Sequence, residues 1–312
     1  MKSKHPTVTV GFVARERFSL AAKALRVLYK HTDIPFRLII VDCNIPTRYR
    51  KQMERAVKGQ TNVTFLDIDR EILPNHAKNM VYEASGDDYI CFLENDCVVP
   101  DGWLSKLIDA CESFPAQVAS PLLFDRAPWK GKIHHAWKLG SIKVEHDSVM
   151  ERIRLVPHGG DAYTWHKRLE PFQADLIESH CVLYHRRAFE KIYPLPEDLS
   201  VDEFVDSSIA LYKLGIAMII VPSVKISFYS PSCVQKEELP FFRFRWDTDK
   251  AAKSMAYLTT KWNIVNVGKS DAFSKERLEY YTSFTKHWIY RLKGAWQRRV
   301  IRPLELLTRR FA

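Results

Sequence analysis

Two patterns of apolar residues alternate along the first third of the chain. Short apolar runs rich in β-branched residues predict strands, and they occupy residues 8–14, 36–42, 63–68 and 88–96. The segments between them carry apolar side chains at helical spacing, and these predicted helices occupy residues 19–32, 47–60 and 75–86. Strands that alternate with helices indicate an α/β fold, with a mostly parallel sheet and right-handed crossovers.

The rest of the chain is less regular. Residues 125–175 are rich in Trp, His, Gly and Pro without a clean period, which predicts a long loop region with short strands. The next segments are predicted as a strand entering a helix, a second helix, and one or two buried strands, over residues 175–192, 200–215 and 216–229. Beyond these strands the pattern is helical, aromatic and basic. We therefore divide the chain into a main domain, residues 1–233, and a C-terminal helical extension, residues 234–312.

Acidic residues follow two of the predicted strands. Asp42 ends the second strand, and Glu94, Asn95 and Asp96 stand where the fourth strand ends. In a parallel α/β sheet, ligands bind beyond the carboxyl ends of the strands, so these side chains are candidates for a binding site. A carboxylate pair can hold a hard divalent cation, which can neutralise a diphosphate. The alternative is a solvated acidic turn, with Asp101 capping the next helix.

Two common nucleotide-binding fingerprints are absent from the sequence. No GxGxxG pattern follows the first strand, and the VGKS of residues 267–270 lacks the earlier glycine of a P-loop, because Asn263 occupies that position. These observations argue against a dinucleotide oxidoreductase and a P-loop NTPase. Other schemes of nucleotide binding stay open.

The positive charge is concentrated near the end of the sequence. The 312 residues carry a formal net charge of +10, which favours an anionic partner. From residue 284 onward, eight lysines and arginines face one glutamate, among apolar residues such as Trp288 and Trp296. This segment suits an interfacial helix on anionic lipid, whereas a helix packed on the main domain and an RNA-binding segment are the alternatives.

The cysteines and the first residues indicate a compartment. The six cysteines form no CxxC pair, and residues 1–18 lack the apolar region of a signal peptide. We therefore expect reduced thiols and a cytoplasmic location, with peripheral contact to the inner face of the membrane through the basic segment.

Four short motifs occur in a characteristic order. They read IIVD, AKN, LEND and VVPDGWL, at residues 39–42, 77–79, 93–96 and 98–104. This order resembles the nucleotide-sugar-binding half of the family 2 glycosyltransferases, whose corresponding motifs are VVD, ARN, and LDDD followed by a proline and a GWL-like helix start. The resemblance extends over roughly residues 7–230, because residues 201–215 are similar to the family's EDxDLxxRxxxxG. It implies the fold called GT-A, a Rossmann-like, mostly parallel sheet flanked by helices.

The resemblance assigns a role to each matched residue. Asp42 would hydrogen-bond the nucleotide base, Lys78 and Asn79 would lie near the donor, Glu94 would face the ribose or the sugar beside Asn95, and Asp96 would bind Mn²⁺ or Mg²⁺. The structural alternatives are a core turn for Asp42, a helix-surface charge for Lys78 and a capping amide for Asn79.

The chain departs from the family pattern at two places near the expected metal. Glu94 replaces the first aspartate of the usual DxD, and Phe228 falls where the family often has a histidine after the last core strand. Asp96, the diphosphate and water would then hold the ion, alone or with a histidine from elsewhere. The loop histidines match no compact metal motif, and the loop tryptophans could stack on a sugar; these residues are His134, His135, His146, His158, His166, Trp129, Trp137 and Trp165.

The residue that acts as general base is predicted from register. Counting back from Gly215 puts Glu203 at the E of EDxD and Phe204 at the next acid, so the residue usually assigned as base is absent. We expect Glu203 to be the base and Asp206, on the same helix face, to orient the acceptor or the helix. Asp202 is the second candidate for the base. The alternative is that Asp202 only caps the helix and Glu203 occupies its first turn.

The resemblance and the acidic residues together predict an inverting glycosyltransferase. It would move a sugar from a nucleoside diphosphate-sugar to a hydroxyl of a saccharide or lipid-linked acceptor with a divalent metal ion. A nucleotidyltransferase on a related fold is one alternative, and it would release pyrophosphate instead of nucleoside diphosphate. A basic nucleic-acid-binding protein is the other, but it leaves Asp42, Asp96 and Glu203 unexplained, so we expect no nucleic acid partner.

Overall fold

The computed structural model describes residues 6–15, 17–125, 132–133, 141–146, 151–155, 170–229, 234–265 and 270–282. Most strands belong to one sheet: β1 (Val8–Val13), β2 (Arg37–Cys43), β3 (Val63–Ile68), β4 (Tyr89–Glu94), β5 (Cys97–Val98), β6 (Val118–Asp125), β7 (Lys132–Ile133), β10 (Phe172–Gln173), β11 (Cys181–His185) and β12 (Met218–Phe228). An antiparallel pair, β8 (Ile142–His146) and β9 (Glu151–Leu155), is separate from it.

Helices flank this sheet and continue after it. They are α1 (Phe18–His31), α2 (Thr47–Ala56), α3 (Pro74–Ala84), α4 (Trp103–Ser113), α5 (Arg186–Glu190), α6 (Glu203–Lys213), α7 (Leu239–Arg245), α8 (Thr248–Trp262) and α9 (Ser270–Thr282), with a 3₁₀ turn at Lys236–Glu238. The predicted alternation of strands and helices is confirmed, as is the helical character of the described residues after 234.

The order of the strands places the first four strands in a parallel group. The main path runs β10-β12-β6-β11-β4-β1-β2-β3, with β5 beside β12 and β7 beside β6. The neighbours among β1 to β4 pair in parallel, as do β6 and β12, whereas β11 is antiparallel to both β4 and β6. The fold is therefore the predicted mostly parallel α/β sheet, and the carboxyl end of β4 lies beside that of β1 and the amino end of β11.

The centre of the sheet is buried on both faces. Every residue of β1 and of β4 is buried, as continuous apolar runs in parallel sheets require. Gly11 in β1 allows α3 to approach closely, because a Cβ at this position would lie 2.7 Å from Cγ1 of Val81. Close packing here explains why the second half of β1 carries a glycine among large apolar residues.

The start of α4 differs from the prediction. Gly102 occupies the N-cap in the left-handed conformation, with φ of 63°, and no side chain caps the helix. Asp101 pairs instead with His31 at the end of α1. Asp101 is therefore not the N-cap, and that interpretation is wrong. Gly102 takes the position, because glycine adopts a positive φ without strain.

The predicted extension shares its packing with the main domain. One apolar cluster joins β8, β9, α6 and α8 through Ile142, Ile153, Val205, Ile209 and Leu258. A second cluster joins Val201 to Phe242 and Trp246 of the extension. The boundary drawn at residue 233 therefore lies between segments that fold against each other.

Several sequence predictions concern residues outside this description. They include the basic segment from residue 284 and the loop residues His134, His135, His158, His166, Trp129, Trp137 and Trp165. His146 ends β8. Five of the six cysteines lie in the described residues, where all are buried free thiols as expected. No helix in the described ranges is long and apolar enough to span a membrane.

Candidate active site

Charged side chains gather where β1 and β4 end. Val13 of β1 is in register with Glu94 of β4, so the residues after both strands lie together. Glu94, Asn95 and Asp96 are each 1% exposed. The acids stand at the predicted edge of the sheet, but the alternative of a solvated turn is wrong because other side chains enclose them.

Arg17 and Asp96 form a buried ion pair. Nη1 of Arg17 lies 3.1 Å from Oδ2 of Asp96 and donates to the carbonyl of Tyr229 at 3.2 Å. The guanidinium lies over the ring of Phe228, 5.4 Å from its centroid. The family often has a histidine at about the position of Phe228, and here an aromatic ring lies against a cation instead. The acid predicted to bind metal is thus paired with an arginine.

Arg15 connects the end of β4 to the start of α6. Its Nε lies 2.8 Å from Oε1 of Glu94, and its Nη2 lies 3.3 Å from Oε1 of Glu203. Asn95 holds the backbone of this loop, because its Oδ1 accepts from the Arg15 N–H at 3.0 Å and its Nδ2 donates to the Arg15 carbonyl at 3.3 Å. The position of the Arg15 guanidinium is therefore fixed from both ends.

Glu203 is the first residue of α6 and is almost fully buried. Its Oε2 lies 3.5 Å from Nη2 of Arg245, and its Oε1 accepts from the hydroxyl of Ser179 at 3.4 Å. Burial alone would raise the pKa of Glu203, but Arg245, Arg15 and Lys78 outweigh it and hold the pKa below its ordinary value. The side chain is therefore a carboxylate at neutral pH, the state that a general base requires.

His180 lies against both the acids and Phe228. Its Nδ1 is 2.8 Å from Oε2 of Glu178, and its Nε2 is 3.7 Å from Oε2 of Glu94. The ring meets that of Phe228 edge-on, with centroids 4.2 Å apart. Burial would lower the pKa of His180, but Glu94 and Glu178 outweigh it and raise the pKa to about 9. The side chain is thus an imidazolium cation at neutral pH.

The other two acids of the predicted EDxD segment have different surroundings. Asp206 accepts from Nε1 of Trp262 at 2.7 Å and lies 2.9 Å from Nζ of Lys261, so it anchors α6 to α8. Asp202 occupies the N-cap with φ of 55°, and its side chain makes no capping hydrogen bond. The capping interpretation of Asp202 is therefore wrong, and this half-buried residue stays the second candidate for the base.

Asp42 shapes the turn at the end of β2. Its Oδ1 accepts from the N–H of Ile45 at 2.8 Å, and its Oδ2 pairs with Arg50, which also pairs with Asp67. These contacts correspond to the structural alternative of a core turn. Contact between Asp42 and a nucleotide base stays a prediction.

Lys78 and Asn79 are neighbours on α3 with separate tasks. Lys78 is 7% exposed, and burial lowers its pKa. The carboxylates of Glu203 and Glu94 oppose that shift, because the ammonium group lies among these acids. The interpretation of Lys78 as a helix-surface charge is wrong. Asn79 accepts from the N–H of Leu195 at 3.0 Å and donates to its carbonyl at 2.9 Å, so the amide holds another segment of backbone. Their contacts with a donor stay predictions.

The described residues do not form a ligand set for the predicted Mn²⁺ or Mg²⁺. In the described ranges, no group of three or more His, Cys, Asp and Glu side chains could hold a metal ion. Asp96 and Glu94 are paired with Arg17 and Arg15. Both ring nitrogens of His180 already face carboxylates, Nδ1 that of Glu178 and Nε2 that of Glu94. Asp96 therefore faces a cationic side chain in this structure rather than further metal ligands.

Sequence reasoning missed Arg15, Arg17, His180 and Arg245. Arg15 and Arg17 directly follow β1, so the rule that selected acids at strand ends would have selected them too. His180 precedes β11, which is antiparallel to β4, and a rule based on carboxyl ends overlooks it. Arg245 has no local signal, because the glutamate it contacts is 42 positions away.

Comparisons with known proteins agree with this architecture. A structure of GalNAc-T7 with UDP, GalNAc and Mn²⁺ is 12% identical with a TM-score of 0.55, covering 91% of this chain and 57% of that one. A structure of the mannosyltransferase PcManGT from Pyrobaculum calidifontis, in complex with GDP-Man and Mn²⁺, is 14% identical with a TM-score of 0.50. The match covers 96% of this chain and 82% of that one. This chain thus spans little more than half the length of the GalNAc-T7 chain. No curated protein matches it.

The sheet and these likenesses define a GT-A fold, the fold of a class of glycosyltransferases. The sequence model of the family described as "Glycosyl transferase family 2" matches residues 10–193. The chain belongs to this family.

Proposed function

We propose that this chain transfers a sugar, with inversion, from a nucleoside diphosphate-sugar to a hydroxyl of a saccharide or lipid-linked acceptor. The observation that carries the proposal is the ionised, buried Glu203 beside the acids that end β4. Arg15 contacts Glu94 and Glu203 together, which supports a reaction in which the proposed base lies beside one of the proposed donor contacts.

The residues of the chain suit the individual parts of this reaction. The acceptor oxygen forms a bond to the anomeric carbon, the bond from that carbon to the diphosphate breaks, and the acceptor proton passes to a carboxylate oxygen of Glu203. Asp42, Lys78, Asn79, Glu94 and Asn95 are proposed as donor contacts. Attack from the face opposite the leaving diphosphate gives inversion at the anomeric carbon.

The predicted metal ion and the membrane contact belong to the same proposal. When bound, Mn²⁺ or Mg²⁺ would act as a Lewis acid that stabilises the leaving diphosphate. Since the residues around Asp96 are paired with cations, no step above depends on such an ion. A cytoplasmic location, with residues 284–312 on anionic lipid, is consistent with a lipid-linked acceptor.

Replacement of Glu203 tests the proposed base. Glu203→Gln keeps the shape of the side chain and removes its basicity, so transfer should fall at least about a hundredfold. Nucleoside diphosphate affinity should stay within about threefold, a difference below 1 kcal/mol. Transfer is measured as the release of nucleoside diphosphate from a panel of nucleotide-sugars, and affinity is measured by calorimetry.

Asp202→Asn is the matched control, since it neutralises the neighbouring acid. Near-normal transfer by Glu203→Gln, together with a collapse in Asp202→Asn, would assign the base to Asp202. Release of pyrophosphate instead of nucleoside diphosphate would identify a nucleotidyltransferase and contradict the proposed function.

A further inference from the structure

Two arginines follow β1, at the edge where the proposed donor would place its diphosphate. Arg15 and Arg17 are 9% and 1% exposed, so both guanidinium groups are enclosed by the fold, and a neighbouring group has to move before a ligand contacts Arg17. Val13, at the end of β1, is in register with Glu94, which brings the arginines beside the segment predicted to bind metal. Burial of two cations at one strand end requires nearby anions.

The environment of Arg17 replaces both expected features of a metal site. The acid, Asp96, lies 3.1 Å from Nη1 of Arg17. At the place of the expected histidine, Phe228 presents its ring to the guanidinium, and aromatic rings stabilise cations in this arrangement. Phe228 at the place of the expected histidine and Arg17 beside Asp96 therefore fit each other.

The balance of charge in the cluster also disfavours a dication. Among the described side chains, the carboxylates of Glu94, Asp96, Glu178 and Glu203 face the guanidinium groups of Arg15, Arg17 and Arg245, and the side chains of Lys78 and His180 lie beside them. A divalent ion at Asp96 would have to displace Arg17 from a buried pair. A diphosphate has the opposite charge, and the planar guanidinium fork matches phosphate oxygens.

We propose that Arg17, supported by Arg15, binds the diphosphate of the donor and neutralises the leaving group in place of a divalent metal ion. This inference rests on the proposed function. Asp96 is then a positioning residue that holds Arg17, and Phe228 supports the guanidinium from its ring face. Donor binding should not require a metal ion.

The test is calorimetry with the full chain and ADP, GDP, CDP and UDP as probes, in excess EDTA and again with Mn²⁺ or Mg²⁺. At least one nucleotide should bind in EDTA, with a Kd within about threefold of the value with metal. Arg17→Met should weaken that binding at least about tenfold, because it removes charge-assisted hydrogen bonds. Arg17→Lys keeps the charge without the fork and should fall between the two.

Two further variants separate position from charge. Arg37→Gln removes one positive charge from an exposed residue at the opposite end of β2 and should leave Kd unchanged. Asp96→Asn should weaken binding by the same factor with and without metal if Asp96 positions Arg17. A metal ligand at Asp96 would instead lose affinity only when metal is present.

Each result decides a different question. Binding that appears only with metal, or Arg17→Met binding as tight as the parent in EDTA, would overturn this inference and leave the proposed function standing. Absence of binding for every nucleotide under both conditions would contradict the proposed function itself. If Arg17→Met does not fold, judged by circular dichroism, the comparison of the parent with and without metal still decides.

Discussion

Asp42, near the end of β2, and the acids at the end of β4 occupy similar places in the two strands that flank β1, but they are held in opposite ways. Asp42 contacts Ile45 and Arg50, which lie three and eight positions further along the chain. Asp96 contacts Arg17, which is 79 positions away, and Glu203 contacts Arg15 across 188 positions. The acid at the end of β2, near the lateral edge of the sheet, is held by residues close in sequence. The acids near the end of β4, at the centre of the sheet, are held by residues far away in sequence.

This difference in partners has an energetic counterpart. At the edge, the side chain of Asp67 is 66% exposed, and such partly solvated pairs contribute little to stability. At the centre, Glu203 and Arg245 are each 1% exposed, and loss of one partner leaves an uncompensated buried charge. Mutations at the two strand ends should therefore have unequal effects on stability.

Loss of Arg245 should have the largest effect. Arg245→Met leaves Glu203 buried with one cation fewer, so the free energy of unfolding should fall by about 3–5 kcal/mol. Urea denaturation followed by circular dichroism measures this change. Combining it with Glu203→Gln should restore part of the loss, because the uncompensated charge is then absent.

Arg243→Met is the matched control for that prediction, since Arg243 is exposed on the same helix. It should change the free energy of unfolding by less than about 0.5 kcal/mol. Equal losses for the two arginines would show that the centre is no more sensitive than the surface.

The pH dependence of stability should be dominated at the centre by His180. Its pKa is raised from 6.5 to about 9, so its contribution is complete below pH 6.5 and is lost as the pH rises through about 9. The loss should be on the order of 3 kcal/mol. Denaturation curves of the parent and of His180→Gln, compared between pH 6 and pH 9, should converge as the pH rises.

Comparison with the variant is needed because buried thiols also lose stability at high pH. The pKa of Cys43 and of Cys111 is raised to about 12 by burial, so their contributions fall above their ordinary value in both proteins. Parallel curves for parent and variant would exclude His180 as the source of the difference.

Loss of Arg50 at the edge should have the smallest effect. Arg50→Met removes the pairs with Asp42 and Asp67 and also the guanidinium, whose carbon lies 3.9 Å from the centroid of the Phe65 ring. The free energy of unfolding should fall by about 1 kcal/mol or less. A loss of 3 kcal/mol or more in urea would show that both strand ends depend equally on their ion pairs.

Much of the fold could be predicted because its signals are local. Continuous apolar runs identified β1 to β4, and helical spacing identified α1 to α3, each from about a dozen residues. The N-cap at Gly102 was missed, since the choice between Asp101 and the following glycine depends on contact with His31, 70 positions away. The antiparallel direction of β11 also has no local signal.

The site could be predicted in part for the same reason. The family pattern directed attention to Glu94, Asp96 and Glu203, and the structure brings these acids into one cluster. Their neutralisation by Arg15, Arg17 and Arg245 could not be predicted, because the pairs form only when strand ends and the extension meet. The sequence indicated where acids lie but not which cations they face.

The C-terminal extension makes the order of synthesis matter. Glu238 accepts from the N–H of Ser19 at 2.7 Å across 219 positions, and Arg245 and Trp262 reach Glu203 and Asp206. A ribosome releases the strands of the sheet long before it adds these residues. An incomplete chain that ends before these residues lacks Arg245 beside Glu203 and the contact of Trp262 with Asp206 on α6. The surroundings of Glu203 and Asp206 therefore assemble only after residue 262 has been translated.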